Sequence, residues 1–164
     1  MPGNFELAAP VEGELRRGPG SPLALDTTLP LANATFQVGD ACNLEAAELG
    51  APFDAVLMAN LICRVPDPVK ALRDLSQANG GEGIVKKGGV VMLVTPFSWD
   101  TSFTAKENWL GGKAGAEDSF EGLQAALGEE FELVDQFRIP LVIREHRRRW
   151  QYIVPDGAVF KRVK

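Results

Sequence analysis

The pattern that most constrains the fold begins at Phe36. From there the sequence indicates the second half of an α/β domain, and no first half precedes it. Residues 36–44 predict a strand ending at Asp40, on the edge where such domains bind ligands, and residues 53–61 predict the next strand. Domains of this type normally open with a strand and a glycine-rich turn that holds a cofactor's tail. Because no such turn precedes Phe36, we expect a parallel sheet without its opening strands.

Composition and charge narrow the class of protein. The chain has 164 residues, of which 45% are hydrophobic, enough for one domain with a core. Its net charge of −5 argues against a nucleic-acid partner. The two cysteines, Cys42 and Cys63, have no metal-ligand spacing and predict reduced thiols. With no long apolar run and no leader of basic then apolar residues, we expect a cytoplasmic protein without a membrane segment or a metal.

The opening 34 residues are irregular. They contain five prolines and a loop-like run at residues 17–22, a density that breaks regular elements. Residues 5–7 and 23–25 are candidates for short extended pieces of an irregular hairpin. The alternative is a poorly ordered lead-in. Under either interpretation we divide the chain into a lead-in, residues 1–34, and a folded part, residues 35–164.

The first half of the folded part predicts strands and helices in alternation. Residues 35–38 predict a short strand, residues 45–50 a helical turn, and residues 54–60 a strand covered by helices on both faces. Asp67 is a suitable cap for the following helix, and Pro68 suits its first position.

That helix has one apolar stripe and a glycine-rich end. Val69, Leu72 and Leu75 recur at a spacing of three, and the helix is expected to end near residues 79–81. Residues 86–89 predict a tight turn before a fully buried strand.

The second half predicts a strand at residues 90–94 and a long aromatic loop over residues 97–117. Asp118 and Glu121 have the spacing of a capping box, and Gly128 is suited to end the helix that follows. Two strands complete the pattern, and their bounds are 131–139 and 150–160. This order favours an α/β fold with a parallel sheet and an antiparallel C-terminal strand pair, which is typical of class I methyltransferases that use S-adenosylmethionine.

Several phrases resemble one family more closely. They are similar to the C-terminal methyltransferase domain of ovothiol biosynthesis enzymes (4-mercaptohistidine N1-methyltransferase-like), and the likeness covers nearly the whole chain. The matching segments are residues 11–15, 36–44, 53–68, 95–99, 103–112, 118–123 and 143–152. The resemblance implies a partial class I Rossmann-like sheet without its first two strands. It also implies methyl transfer from S-adenosylmethionine to an imidazole nitrogen of a small 5-histidylthiol-like substrate.

The resemblance also implies a cofactor site at the strand ends. Asp40 would accept a hydrogen bond from the adenine amino group, with Ala41 and Cys42 beside it, and Asn60 and Leu61 would lie where cofactor and substrate meet. The alternatives are that Asp40 caps a local turn and that Asn60 is a turn residue that binds its own backbone.

Basic side chains are the candidates for substrate chemistry. His146, the only histidine, is the candidate that takes the proton released on methylation. Arg144 and Arg147 are candidates for binding an amino-acid carboxylate, and Arg64 is a further substrate-binding candidate. The alternative for the run at residues 144–149 is a solvated loop or edge strand.

The aromatic loop has two interpretations. Trp99, Phe103 and Trp109 could cover the sulfonium cation as a lid through cation–π contact, with Trp99 in the substrate site. The alternative is that these rings anchor a long loop onto the core.

An incomplete sheet would leave an exposed edge. In the class I order, 3-2-1-4-5-7-6, losing two strands leaves segments 53–61, 90–94, 150–160 and 131–139 adjacent in that order. Segment 53–61 then becomes an apolar edge that invites pairing. We expect residues 35–38 to move beside it, a partner chain or second copy to cover it, or an unstable protein. The competing functional hypothesis is a non-catalytic half-domain that acts as an interaction module.

Overall fold

The computed structural model describes residues 9–17, 31–77 and 83–164, which divide into two compact units. Unit one contains residues up to Val38 together with Pro140–Ile153, and unit two contains Gly39–Ile139 and Val154–Lys164. The extended pieces expected at residues 5–7 and 23–25 lie outside the described residues.

The described part of the chain contains eight strands and three α-helices. The strands are β1 (Ala9–Glu12), β2 (Leu15–Arg17), β3 (Phe53–Ala59), β4 (Val85–Thr95), β5 (Phe131–Arg138), β6 (Leu141–His146), β7 (Arg149–Ile153) and β8 (Asp156–Arg162). The α-helices are α1 (Ala46–Leu49), α2 (Pro68–Arg73) and α3 (Ser119–Leu127). None of these helices is both long and apolar enough to cross a lipid bilayer.

Unit one consists of two antiparallel hairpins, β1–β2 and β6–β7. Backbone and side-chain contacts join β1 to the tip of the second hairpin. The backbone N–H of Arg147 donates to the carbonyl of Val11 at 3.3 Å, and Arg148 pairs with Glu12 at 3.9 Å.

Unit two contains a four-stranded sheet in the order β3-β4-β8-β5. Strands β3 and β4 are parallel, whereas β8 is antiparallel to both of its neighbours. This is the order expected from the resemblance for the four segments, so the predicted arrangement of these strands is confirmed.

Local capping explains where the helices begin. The Asp67 carboxylate accepts the N–H of Lys70 at 2.9 Å, and Pro68 occupies the first turn of α2. The Asp118 carboxylate accepts the N–H groups of Phe120 and Glu121, and α3 ends at Gly128. Both predicted caps are confirmed, as is the helical turn near residues 45–50.

The core lies on one face of this sheet. Leu72 of α2 and Leu123 of α3 pack against Leu93 and Phe160 in a single buried cluster. On the opposite face Leu57 is 63% exposed and Met92, its register partner, is 38% exposed. The prediction that β3 and β4 are buried on both faces is therefore wrong, because the helices of the described part pack on one side only. Val69 is also exposed, so the predicted stripe of α2 holds only for Leu72 and Leu75.

Four predicted element boundaries are wrong. Helix α2 ends at Arg73 and not near residues 79–81. Residues 35–38 form no strand, and Phe36 is 92% exposed. Residues 86–89 do not form a separate turn; they belong to β4. In this part of the strand the register between β3 and β4 shifts after Phe53, and Gly88 has a φ of 83°. The segment 150–160 is two strands, β7 and β8, with Pro155 between them, where a proline cannot donate to a sheet ladder.

Strand β3 has β4 as its only neighbour in the described sheet. The expected move of residues 35–38 into this sheet is therefore wrong. Coverage of the outer edge of β3 by a second copy or a partner chain stays a prediction.

Candidate functional site

Two strained residues mark the carboxyl ends of the parallel strands. Asn60 follows β3 with a φ of 54°, and Phe97 follows β4 with a φ of 48°. The N–H of Asn60 donates to the carbonyl of Val94 at 2.7 Å, and the N–H of Phe97 donates to Thr95 Oγ1 at 3.2 Å. Left-handed backbone is uncommon for asparagine and costly for phenylalanine, and such strain clusters at binding and catalytic sites. This edge is therefore the candidate site.

A small cavity opens at the same edge. Its volume is about 300 Å³, which suits a small molecule. Asp118 and Asp156 are among its lining residues. The Asp118 carboxylate caps α3, and Asp156 Oδ1 lies 3.6 Å from Arg138 Nε. Phe97 forms part of the wall. Acidic and aromatic groups together suit a cationic or imidazole-containing ligand.

The predicted adenine-binding residues form one turn. Asp40 is exposed, and its Oδ1 accepts the N–H of Cys42 at 2.9 Å, while its carbonyl accepts the N–H of Asn43 at 3.0 Å. Ala41 packs against the main core cluster. One carboxylate oxygen of Asp40 therefore caps this turn, which is the alternative role expected for this residue. Its contact with a cofactor stays a prediction.

Cys42 and Leu61 join this turn to the strand edge. The Cys42 thiol is buried and donates to the carbonyl of Asp67, 3.3 Å away, at the start of α2. Leu61, directly after the exposed Asn60, is half-buried against the same core cluster as Ala41 and Cys42. The five residues predicted to bind the cofactor therefore pack around or border one cluster.

Burial raises the pKa of the Cys42 thiol above its ordinary value of 9.0. The unfolded chain therefore loses the thiol proton at a lower pH than the folded chain does. We expect the free energy of unfolding to fall as pH rises above 9.0 and to level off beyond the raised pKa. Urea titrations from about pH 8 to about pH 11 measure this dependence. Cys42→Ala removes this contribution; an identical slope in that variant would contradict the assignment.

Arg64 contacts the segment that follows β4. Its Nη1 donates to the carbonyls of Cys63, at 2.9 Å, and Ser98, and its Nη2 donates to Ser98 Oγ at 3.1 Å. The guanidinium also lies over the ring of Phe103, 5.2 Å from its centroid. The predicted role of Arg64 in substrate binding stays a prediction, but its two terminal guanidinium nitrogens already have partners within the chain.

Trp99 and Trp109 anchor the long loop. Their rings stack with centroids 6.0 Å apart, and Trp99 Nε1 donates to Ser119 Oγ at 2.8 Å. Trp109 Nε1 donates to the carbonyl of Thr104, whose buried hydroxyl donates to Val65 at 2.7 Å. These are the contacts of the anchoring alternative, and the substrate-binding role of Trp99 stays a prediction.

The three remaining predicted residues lie in unit one, on the β6–β7 hairpin. His146 Nδ1 accepts the N–H of Arg148 at 3.2 Å, and Arg144 lies 5.5 Å from the Trp150 ring centroid. Arg147 stands at the turn of this hairpin. A neutral imidazole that accepts at Nδ1 carries its hydrogen at Nε2, so His146 has no free lone pair in this arrangement. The catalytic role of His146 and the carboxylate-binding roles of Arg144 and Arg147 stay predictions.

Sequence reasoning missed the cavity residues. Asp118 was predicted only as a helix cap, and Asp156 fell inside a segment predicted as continuous strand. Phe97 falls within the predicted aromatic loop, and no sequence pattern marks its left-handed backbone.

Comparison with known proteins supports the fold. No protein-family model matches the chain, and no curated protein matches it. A solved structure titled "Conversion of a Disulfide Bond into a Thioacetal Group during Echinomycin Biosynthesis" is similar, with a TM-score of 0.52 and 13% sequence identity. The likeness covers 79% of this chain but 56% of that one, so the chain spans little more than half the neighbour's length. At this identity the likeness concerns the fold alone.

Proposed function

We propose that the chain is part of a class I S-adenosylmethionine-dependent methyltransferase domain. The observation that carries the proposal is the antiparallel strand β8, which lies between β4 and β5 in the order β3-β4-β8-β5. That arrangement is the one expected for the C-terminal half of the class. The structural likeness to the echinomycin-related protein supports it at the level of the fold.

The described residues fit one end of the cofactor. The exposed carboxylate of Asp40 is suited to accept a hydrogen bond from an adenine amino group, and the half-buried Leu61 would supply an apolar contact. The turn at residues 40–43 adds backbone groups. The proposed contacts concern the adenine end of the cofactor.

S-adenosylmethionine, when bound, supplies an electrophilic methyl group on a sulfonium. The protein's part would be to align the acceptor and to exclude water, since methyl transfer needs no protein nucleophile. The cavity beside Phe97 is the proposed acceptor site. Its carboxylates, Asp118 and Asp156, would stabilise the positive charge that an imidazole gains when a ring nitrogen is alkylated.

For the acceptor we propose the imidazole of a thiol-bearing histidine. The resemblance to ovothiol biosynthesis enzymes supports this choice, and so do the size and acidity of the cavity. His146 remains the candidate proton acceptor; it would first have to release the Arg148 N–H from Nδ1. Arg144 and Arg147 remain candidates for the substrate carboxylate.

A second candidate function is a non-catalytic interaction module. The observation that favours it is the open side of the sheet, where Leu57 and Met92 are exposed next to the outer edge of β3. A polypeptide partner or a second copy that pairs with β3 would cover both features.

Isothermal titration of the chain with S-adenosylmethionine tests the proposal. We expect binding to weaken by about tenfold or more in Asp40→Ala, because a charged acceptor is lost. Asp54→Asn is the matched control; Asp54 is an exposed carboxylate in β3 that pairs with Lys86, and its removal should leave binding unchanged. Mass spectrometry of a 5-histidylthiol incubated with the chain and the cofactor would detect the methylated product. No heat at millimolar cofactor, together with dimer formation, would favour the interaction module.

A further inference from the structure

We propose that Arg64 is a positioning residue, which holds residues 98–103 after β4 against the segment after β3. We call these contacts of Arg64 the strap. The effect of the strap on methyl transfer rests on the proposed function, whereas the existence of the strap does not. The assignment differs from the substrate-binding role that the sequence suggested for Arg64.

The guanidinium is engaged on its two terminal nitrogens. Both donate to Ser98, one to the carbonyl and one to the hydroxyl, and Nη1 also reaches the carbonyl of Cys63. Its planar face lies 5.2 Å from the ring centroid of Phe103. A carboxylate that bound end-on to the two terminal nitrogens would have to displace Ser98. The geometry therefore assigns this end of the guanidinium to the loop and not to a ligand.

The strap acts next to the most strained residue of the site. Ser98 directly follows Phe97, whose φ is 48° and whose ring lines the cavity of about 300 Å³. A left-handed phenylalanine persists only where its surroundings hold it in place. The Thr95 hydroxyl holds it from one side, through the Phe97 N–H, and Arg64 holds the residue that follows.

The loop is also attached at Thr104, which is buried, so loss of the Arg64 contacts would free only the residues before it. The Thr104 hydroxyl is fully buried and donates to the carbonyl of Val65 at 2.7 Å. Removal of Arg64 would therefore loosen residues 98–103 between two fixed points and leave the sheet intact. The shape of the cavity wall at Phe97 would change, and with it the fit of a ligand.

Hydrogen exchange of the ligand-free chain tests the strap. The N–H groups of Ser102 and Phe103 donate to Asp100, the first to its Oδ1 and the second to its carbonyl, and report on the loop, while amides of Val91 and Leu93 report on the sheet. In Arg64→Ala we expect the loop amides to exchange about tenfold faster with the sheet amides unchanged. Arg64→Lys should recover little of the protection, because an ammonium cannot replace the planar fork. Arg73→Ala, an exposed arginine of α2, is the control and should change neither set.

Two other outcomes of the exchange experiment would contradict the positioning role of Arg64. Unchanged loop amides in Arg64→Ala would leave Arg64 free for a ligand, and equal acceleration of loop and sheet amides would make it a general contributor to stability. If Arg64→Ala does not fold, Phe103→Leu removes the ring contact alone and should still accelerate the loop amides. Because no cofactor is present, these results are independent of S-adenosylmethionine binding, so failure of the proposed function would leave the strap testable.

Discussion

Leu93→Ala is expected to lower the free energy of unfolding by about 3 kcal/mol, because it leaves a cavity in the buried cluster. Leu93 is 1% exposed and lies in β4 between Met58 of β3 and Ala158 of β8. The adjacent Met92 points to the opposite face and is 38% exposed. Met92→Ala is therefore the matched control, with an expected loss of about 1 kcal/mol or less.

Urea denaturation followed by circular dichroism measures both values. The difference between the two variants tests whether one face of the sheet carries the core of unit two. Equal losses for Leu93→Ala and Met92→Ala would mean that the second face is also covered in solution. A loss at Met92 that depends on protein concentration would indicate a second copy on that face.

Gly122→Ala is expected to destabilise the protein by about 2 kcal/mol or more through overpacking. In an exposed helix interior the same change normally stabilises by about 1 kcal/mol, so the predicted effect has the opposite sign. A Cβ at Gly122 would lie 1.7 Å from the backbone carbonyl oxygen of Leu110, which has no side-chain freedom to move away. Helix α3 and the end of the long loop approach this closely only because residue 122 has no side chain.

Gly39→Ala is the control for the general cost of removing a glycine. A Cβ at Gly39 would meet nothing within 4 Å, so we expect a change near zero. Thermal unfolding and the fluorescence of Trp99 and Trp109, which stack in the same loop, report the outcome. A Gly122→Ala variant as stable as the wild type would show that α3 can shift away from Leu110.

Features that depend on neighbouring residues were predictable. Asp67 with Pro68 defines the start of α2, and Asp118 and Gly128 define the two ends of α3, through hydrogen bonds and backbone preferences that span at most a few positions. The order of the four strands in unit two also agreed with expectation, but it came from resemblance to a family and not from local pattern.

Features that depend on distant partners were not predictable. Residues 35–38 have the composition of a strand, yet a strand forms only where another strand accepts its hydrogen bonds, and none does so here in the described part. Arg64 resembled a free substrate-binding cation because its partners, Ser98 and Phe103, lie more than 30 positions away. The same holds for Trp99, whose hydrogen-bond partner is Ser119.

The amino-acid order alone specified the helix caps, the end of α3 and the apolar segments, since these follow from interactions over three or four residues. Folding in three dimensions settled which face of the sheet is covered, which polar groups are already paired and where the backbone is strained. Cys42 shows the division: its place just after a predicted strand was evident from the chain, whereas its hydrogen bond to the distant carbonyl of Asp67 was not. Long-range contacts determine such pairing, because burial and hydrogen bonding depend on which segments meet.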